Sequence, residues 1–200
     1  MDIVKHEFWS TPVWEVETGF DSYFNTVLVN DISELARSGL QYNIWKSNKH
    51  SIQRLKEKTF ECLDATVREY FPEFNPYDPV LLDGWANRTM PGESLGLHAH
   101  PHATLISTYY AKSPDKSGDL LLVDPRGAVN WDWHFDTVPK LLHGVNYKRI
   151  RPTEGKMVFF PAYIMHMVEI NRSTTDRICV ASNIQNGISN IDFTPRPGND

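Results

Sequence analysis

The hydrophobic pattern changes its period partway along the chain. Apolar side chains recur at helical spacing over residues 21–38 and again over residues 51–70, which predicts two amphipathic helices. Gly39 is a stop signal for the first helix, whereas Ser51 is a candidate N-cap and Pro72 the end of the second. The apolar sides of these helices comprise Phe24, Val27, Leu28, Ile32 and Leu35, then Ile52, Leu55, Phe60, Leu63 and Val67.

Short β-rich segments dominate the chain after Pro76. They alternate with Gly, Pro, Asp and Asn turns, a spacing typical of an all-β sandwich or barrel, and the helices are expected to support one of its sheets. A further edge strand is predicted over residues 6–17, where β-branched and aromatic residues surround Pro12. The other predicted strands are residues 79–89, 97–111, 119–124, 145–151, 156–160, 165–170 and 176–184.

One domain is expected to contain all 200 residues. Residues 126–144 form a long irregular connection between predicted strands. Such connections are often binding loops, and this one carries Trp131 and Trp133, so we interpret it as a candidate lid. The predicted parts of the domain are an N-terminal strand with supporting helices (1–76), a β core (77–186) and a poorly ordered tail (187–200).

The overall charge argues against nucleic acids and anionic membranes as partners. The formal net charge is −5 at pH 7, and the chain has no run of basic residues. No segment resembles a signal peptide or a membrane span. Two cysteines, Cys62 and Cys179, lie far apart, so we expect no disulfide framework and a cytoplasmic location. We expect a monomer or a homodimer.

Three histidines form the most informative pattern. His98 and His100 are one residue apart in a predicted strand, where alternate side chains point to the same face. His166 follows an aromatic strand that ends near Pro161. Imidazole binds iron, zinc, copper and nickel, so three converging histidines indicate a first-row transition-metal site. The alternative is that His98 and His100 are ordinary polar residues of a strand.

The role of the next histidine, His102, is left open by the pattern. It shares the alternation of the other two, but Pro101 interrupts the strand. We interpret His102 as a group that contacts a ligand residue or the substrate, with direct metal binding as the alternative. The remaining histidines have no metal-like spacing and are expected at the surface: His6, His50, His134 and His143.

Arg177 is a candidate anion-binding residue. Strand alternation places Arg177, Cys179, Ala181 and Asn183 on one face. If that face is interior, the buried guanidinium requires an anion, and a carboxylate that accepts two N–H bonds suits it best. The alternatives are an exposed edge-strand arginine or a salt bridge to a protein acid. Arg172, in a predicted turn, is expected to be exposed.

These segments together resemble the 2-oxoglutarate/Fe(II)-dependent oxygenase superfamily, on its prolyl-4-hydroxylase-like side. The closest likeness is to a group of 2OG-Fe(II) oxygenases of bacteria and phages. The resemblance covers nearly the whole chain and implies a mostly β fold, a double-stranded β-helix (jelly roll) with N-terminal helices. It rests on the order and spacing of residues 8–12, 45–50, 85–87, 98–101, 107–110, 117–126, 155–161, 166 and 177–183.

The resemblance also implies roles for individual residues. His98, His100 and His166 would hold Fe(II) and form the catalytic centre, and Arg177 would pair with the distal carboxylate of the cosubstrate, 2-oxoglutarate. The substrate would be a small molecule or a protein side chain. The residues implied near the cosubstrate or the ligands are Tyr110, Asn87, Asn183 and Ser107; for Tyr110 the alternative is an ordinary core aromatic residue.

One position departs from the superfamily pattern. His-x-Asp or His-x-Glu is usual there, whereas this chain has a histidine at position 100. Three neutral imidazoles leave the site one negative charge short. We expect His100 to take the place of the carboxylate.

Two other function classes fit parts of the sequence. A cupin-type metal enzyme without 2-oxoglutarate would explain Gly92 before the His-x-His pair and Gly155, Pro161 and His166 further on, but residues 101–110 lack the expected glutamate. A non-catalytic β-helix module, for example one that binds sugars, would need neither iron nor 2-oxoglutarate.

Overall fold

The described part of the chain contains two helices and nine strands. The computed structural model describes residues 10–37, 43–67, 80–126 and 147–185. The helices are α1 (Ser22–Arg37) and α2 (His50–Val67), with a 3-10 turn at Ile44–Lys46 between them. The strands are β1 (Trp14–Glu17), β2 (Val80–Thr89), β3 (Leu95–His98), β4 (Leu105–Lys112), β5 (Leu120–Val123), β6 (Tyr147–Ile150), β7 (Lys156–Pro161), β8 (His166–Val168) and β9 (Arg177–Gln185).

The strands form two antiparallel sheets that pack face to face. The larger sheet has the order β1-β7-β4-β9-β2 and the smaller one the order β3-β8-β5-β6. Ile106, Tyr110 and Phe160 of the larger sheet pack against Leu120 and Leu122 of the smaller. From β2 to β5, and again from β6 to β9, successive strands alternate between the sheets. This connectivity is that of a double-stranded β-helix, as predicted.

Helices α1 and α2 cover the outer face of the larger sheet. Leu28 of α1 and Leu55 of α2 belong to one buried cluster with Tyr109 of β4, Phe159 of β7 and Val180 of β9. The larger sheet is therefore covered on both faces. This explains why β4, β7 and β9 are almost continuously buried and read as apolar runs with little alternation.

Polar contacts join α1 to its neighbours. Lys49 Nζ lies 2.9 Å from a carboxylate oxygen of Asp31, and the Ser51 hydroxyl donates to the other oxygen of the same group. The prediction that Ser51 caps the second helix is wrong, because α2 already begins at His50. Ser51 serves instead as a buried link between the two helices.

The predicted strand over residues 97–111 is two strands. β3 ends at His98, residues 101 and 102 form a turn, and β4 begins at Leu105 in the other sheet. Pro101 has no N–H to donate to a ladder, so the chain leaves the smaller sheet there. His98 and His100 therefore do not lie on one continuous strand.

Several predictions fall on residues outside the described ranges. They concern the candidate lid residues Trp131 and Trp133, the tail 187–200, and the surface positions of His6, His134 and His143. His50 is described and is exposed at the start of α2. In the described ranges, neither helix is long and apolar enough to cross a membrane.

Gly84 provides a test of how β2 packs against the 3-10 turn. A Cβ atom at this position would lie 1.8 Å from the indole nitrogen of the buried Trp45. We expect Gly84→Ala to lower the free energy of unfolding by about 2–3 kcal/mol, because the rigid indole must shift. Chemical denaturation of the two proteins measures this change. Gly96→Ala is the control, since its Cβ meets nothing within 4 Å; an equal loss in both variants would contradict the packing.

Candidate active site

His98 and His166 face each other across two paired strands of the smaller sheet. His98 ends β3, His166 begins β8, and the two residues are register partners with ring centroids 4.2 Å apart. Nδ1 of His98 lies 2.8 Å from the carbonyl oxygen of Gly96, and Nδ1 of His166 lies 2.9 Å from that of Ile164. A ring N–H that donates to each carbonyl leaves Nε2 with a free lone pair, the form that binds a metal.

His100 joins this pair from beyond the end of β3. Its backbone N–H donates to the carbonyl oxygen of Ala162 at 3.0 Å. Its ring centroid lies 5.1 Å from that of His98 and 5.2 Å from that of His166. One nitrogen from each of the three rings lies within 4.8 Å of the others. This grouping is compatible with a site for one transition-metal ion, which each imidazole nitrogen would bind at about 2.1 Å.

Burial favours the neutral form of two of the three histidines, His166 and His100. Loss of water contact lowers the pKa of His166 from 6.5 to about 4, although the hydrogen bond to Ile164 opposes this shift. The pKa of His100 is also lowered, first by burial and then by the neighbouring His98, while the Asn183 side chain works in the opposite direction. At neutral pH both rings are therefore uncharged, as metal binding requires.

A partly enclosed cavity of about 230 Å³ adjoins the three histidines. Tyr110, Asn87 and Arg177 line it, which places three of the predicted neighbours beside the cluster. Tyr110 is almost fully buried, and this burial raises the pKa of its phenol far above the ordinary value. Asn183 contacts the His100 ring and is not part of the cavity wall.

Two of the predicted neighbours lie elsewhere. His102 is an exposed residue of the turn after β3 and is not a member of the histidine cluster. Ser107 is buried, but on the face of β4 that points away from the cavity. Ile106 and Thr108 line the cavity, so alternation turns Ser107 toward the helices, where Leu105 and Tyr109 also pack. The prediction that Ser107 lies close to the metal ligands is wrong.

Arg177 is a buried cation with unused donors. Its side chain is on an inner strand of the larger sheet, and the residue is only 2% exposed. Nη1 donates to the carbonyl oxygen of Gly118 at 3.2 Å, Nη2 makes a long contact of 3.4 Å with the Thr89 hydroxyl, and Nε has no partner. Both partners are uncharged, so neither compensates the positive charge.

The acidic residue next in sequence does not neutralise Arg177. The carboxylate of Asp176 is occupied by Arg88, at 2.6 Å, and by Lys112, at 2.5 Å. Within the described ranges, no acidic side chain forms an ion pair with Arg177. A buried guanidinium is costly without an anion. The geometry therefore favours an anionic ligand in the cavity over the alternatives of a protein salt bridge or an exposed edge residue.

The segment that carries the three histidines and Arg177 matches a known protein family. Residues 83–183 match a family model described as "Putative 2OG-Fe(II) oxygenase", a segment that includes the three histidines and Arg177. The chain belongs to this family. Its cofactor is Fe(II) and its cosubstrate 2-oxoglutarate, so the prediction of a 2-oxoglutarate-dependent oxygenase is confirmed. A search of curated proteins found no significant match.

Solved structures with the same fold are distant in sequence. A prolyl-4-hydroxylase of Pseudomonas putida superposes with a TM-score of 0.63 at 12% identity, covering 88% of this chain and 89% of that one. HygX of Streptomyces hygroscopicus, with nickel and 2-oxoglutarate bound, gives 0.59 at 13%, covering 88% and 82%. The viral collagen prolyl hydroxylase of Paramecium Bursaria Chlorella virus-1 gives 0.59 at 16%, covering 93% and 99%. These similarities confirm the jelly-roll fold.

Sequence reasoning missed three residues that shape the site of this oxygenase. Gly118 has a φ of +93°, and a Cβ there would lie 2.2 Å from the Glu169 carbonyl oxygen, so a side chain would displace the carbonyl that holds Arg177. Thr89 contacts Arg177, and Trp85 stacks on His100. Trp85, Asn87 and Thr89 share one face of β2, because side chains alternate along a strand. Since Asn87 was already predicted to line the pocket, the same alternation could have identified Trp85 and Thr89.

The lowered pKa of His166 predicts acid sensitivity in the metal-free oxygenase. Between pH 6.5 and about 4 the unfolded chain protonates this residue while the folded chain does not, so stability should fall as the pH decreases. The shift corresponds to about 3 kcal/mol. Denaturant unfolding across this range measures the loss. His166→Gln should remove much of the dependence and the exposed control His50→Gln should retain it; equal slopes in both variants would contradict the assignment.

Proposed function

We propose that this oxygenase holds Fe(II) with His98, His100 and His166 and binds 2-oxoglutarate with one carboxylate on Arg177. The observation that carries the proposal is the position of the uncompensated guanidinium in the wall of the same cavity as the three histidines. 2-Oxoglutarate carries a carboxylate at each end. One end, with the adjacent keto oxygen, suits the metal, and the other suits the planar fork of Arg177.

The size of the cavity supports a ligand of this kind. About 230 Å³ corresponds to roughly eight water molecules, which is enough for a five-carbon dicarboxylate but not for a large substrate as well. Tyr110, which stays a neutral phenol, has a hydroxyl that can donate to the bound carboxylate. Asn87 lies in the same wall and contacts the Cys179 thiol, so we assign it to the cosubstrate pocket.

The donor set fits iron in a three-histidine arrangement. His98, His100 and His166 would hold the ion through three imidazole nitrogens, and the cosubstrate would supply further ligand atoms. When bound, Fe(II) supplies oxygen activation, with 2-oxoglutarate providing electrons as it is converted to succinate and carbon dioxide. The protein orients the cosubstrate through Arg177 and limits water access through the packed sheets. With no carboxylate ligand, the site keeps one more positive charge, which favours an anionic cosubstrate.

The two other function classes leave Arg177 unexplained. A cupin-type enzyme that does not use 2-oxoglutarate has no evident anion for the buried guanidinium, and neither does a sugar-binding module. Both would keep an uncompensated cation in the core at a considerable cost in stability. The position of Arg177 therefore supports the oxygenase over both.

The substrate is proposed to approach the cavity from its mouth. Leu95, on the cavity wall, is 40% exposed, and Trp85 beside His100 is half-buried. This apolar rim suits the carbon skeleton of a small molecule or a protein side chain. We also propose a cytoplasmic location, supported by two buried cysteines, Cys62 and Cys179, that form no disulfide. A monomer or a homodimer remains our proposal for the assembly.

The proposal is tested by measuring metal and cosubstrate binding separately. Under anaerobic conditions, calorimetry and the visible charge-transfer band report 2-oxoglutarate binding to the Fe(II)-loaded protein. Arg177→Ala should weaken this binding roughly 10- to 100-fold, because charge-assisted hydrogen bonds of about 1.5–3 kcal/mol are lost. Its affinity for Fe(II) should be unchanged. His100→Ala and His166→Ala should instead lose the metal, and cosubstrate binding with it.

Two control variants accompany this experiment. Arg172→Ala removes an exposed arginine from the turn before β9, and His102→Ala removes the exposed histidine after the cluster. Both should bind Fe(II) and 2-oxoglutarate as the parent does. If Arg177→Ala binds 2-oxoglutarate as tightly as the parent, the cosubstrate role is wrong. If His102→Ala loses the metal while His100→Ala keeps it, the ligands are shifted by two residues.

A further inference from the structure

The three histidines are not held in the same way. His98 and His166 lie on paired strands, and each ring has a backbone carbonyl two residues earlier on its Nδ1 atom. His100 lies beyond the end of β3, and its ring forms no hydrogen bond to a backbone carbonyl within the described ranges. Its backbone is fixed through Ala162, but this contact leaves the ring free to rotate. Other side chains must therefore set the orientation of this ring.

Trp85 fixes the plane of the His100 ring. The indole lies nearly parallel to the imidazole, with centroids 5.7 Å apart and an angle of 22°. The His166 ring also lies parallel to it, at 5.2 Å and 10°. These two stacked contacts restrict tilting of the imidazole about its bond to Cβ.

Asn183 is placed to fix which ring nitrogen carries the proton. It is paired with Asp83, two residues before Trp85 on the neighbouring strand, so Asn183 and Trp85 are on the same face of the larger sheet. Its side chain contacts the His100 ring, and its Oδ1 atom is buried without a hydrogen-bond partner. A half-turn of the amide exchanges the positions of Oδ1 and Nδ2, which have nearly the same size. In that orientation the oxygen would be placed to accept the N–H of the His100 ring.

We propose that Asn183 and Trp85 are positioning residues for His100, in place of the backbone carbonyl that the other two histidines use. An acceptor on one ring nitrogen leaves the lone pair of the other for the metal, and the stacked indole keeps that nitrogen directed at the cluster. The inference rests on the proposed function of the three histidines. In this inference Asn183 orients a metal-binding histidine, whereas the sequence resemblance placed Asn183 beside the cosubstrate.

Substitutions that keep the branched shape of the side chain separate this role from simple packing. Asn183→Leu keeps the branching but is larger and has no acceptor, whereas Asn183→Asp keeps both the size and an acceptor. We expect Asn183→Leu to bind Zn(II) and Fe(II) about 10- to 100-fold more weakly than the parent, as for other residues that orient metal-binding histidines. Asn183→Asp should restore binding to the parent level or above, since a carboxylate is the stronger acceptor. Gln185→Ala, at an exposed amide on the same strand, is the matched control.

Nitrogen NMR of the Zn(II)-loaded protein gives a readout that packing alone does not change. In the parent and Asn183→Asp, the His100 ring should show one fixed tautomer. In Asn183→Leu it should show a mixture, while His98 and His166 keep theirs because their carbonyl partners are intact. Trp85→Phe should retain most of the metal affinity, because phenylalanine can also stack on the His100 ring. Trp85→Leu cannot stack in this way and should bind the metal several-fold more weakly.

The outcomes distinguish this inference from the proposed function. If the parent protein binds no metal through the three histidines, the proposed function fails and the inference with it. If the parent binds metal but Asn183→Leu binds it equally well with an unchanged His100 tautomer, only the positioning role is wrong. If Asn183→Leu weakens 2-oxoglutarate binding and leaves metal affinity unchanged, Asn183 is a cosubstrate contact and the inference is overturned.

Discussion

The register between β3 and β8 is the constraint on which the site depends. It places His98 opposite His166, so that two rings from segments 68 residues apart in the chain meet inside the jelly roll. A shift of one residue would turn one histidine to the outside, because strand side chains alternate. The orientation of β8 is supported by burial: Val168, on the same face as His166, packs in the core between the sheets with Leu120, its partner on β5. On β3 an irregularity between Leu95 and His98 precedes the pair. The hydrophobic core thus fixes the face of β8 on which His166 lies.

Charge determines what the cavity can accept. Its wall combines a buried guanidinium that has no acidic partner within the described ranges with two histidines, His100 and His166, whose neutral form burial favours. The side chains of the wall therefore supply no negative charge. An anionic cosubstrate provides it. In the proposed site a neutral histidine at position 100 would leave the cosubstrate as the source of negative charge. His100 lies outside the β3–β8 strand pair, and its ring has no backbone carbonyl partner within the described ranges. The orientation of its ring therefore depends on neighbouring side chains.

Much of the fold was accessible from the sequence because its signals are local. The strand pattern predicted the β core, and the helical spacing of Leu28 and Leu35 predicted α1. Contacts between distant segments were less accessible. The role of Ser107 depended on which face of β4 meets the helices, and alternation alone does not decide this when both faces are buried. The partners of Arg177 come from the turn before β5 and from the end of β2, which are far apart in the sequence. The stacking of Trp85 on His100 could not be predicted either, because it depends on where the chain places His100 after the end of β3.

The central claim is that the histidine cluster and Arg177 form one site for Fe(II) and 2-oxoglutarate. An anaerobic crystal structure with both bound tests it most directly, with iron located by its anomalous scattering. We expect one iron peak within bonding distance of His98, His100 and His166, and a 2-oxoglutarate molecule whose far carboxylate is paired with Arg177. Iron at another position, or 2-oxoglutarate bound without contact to Arg177, would contradict the claim.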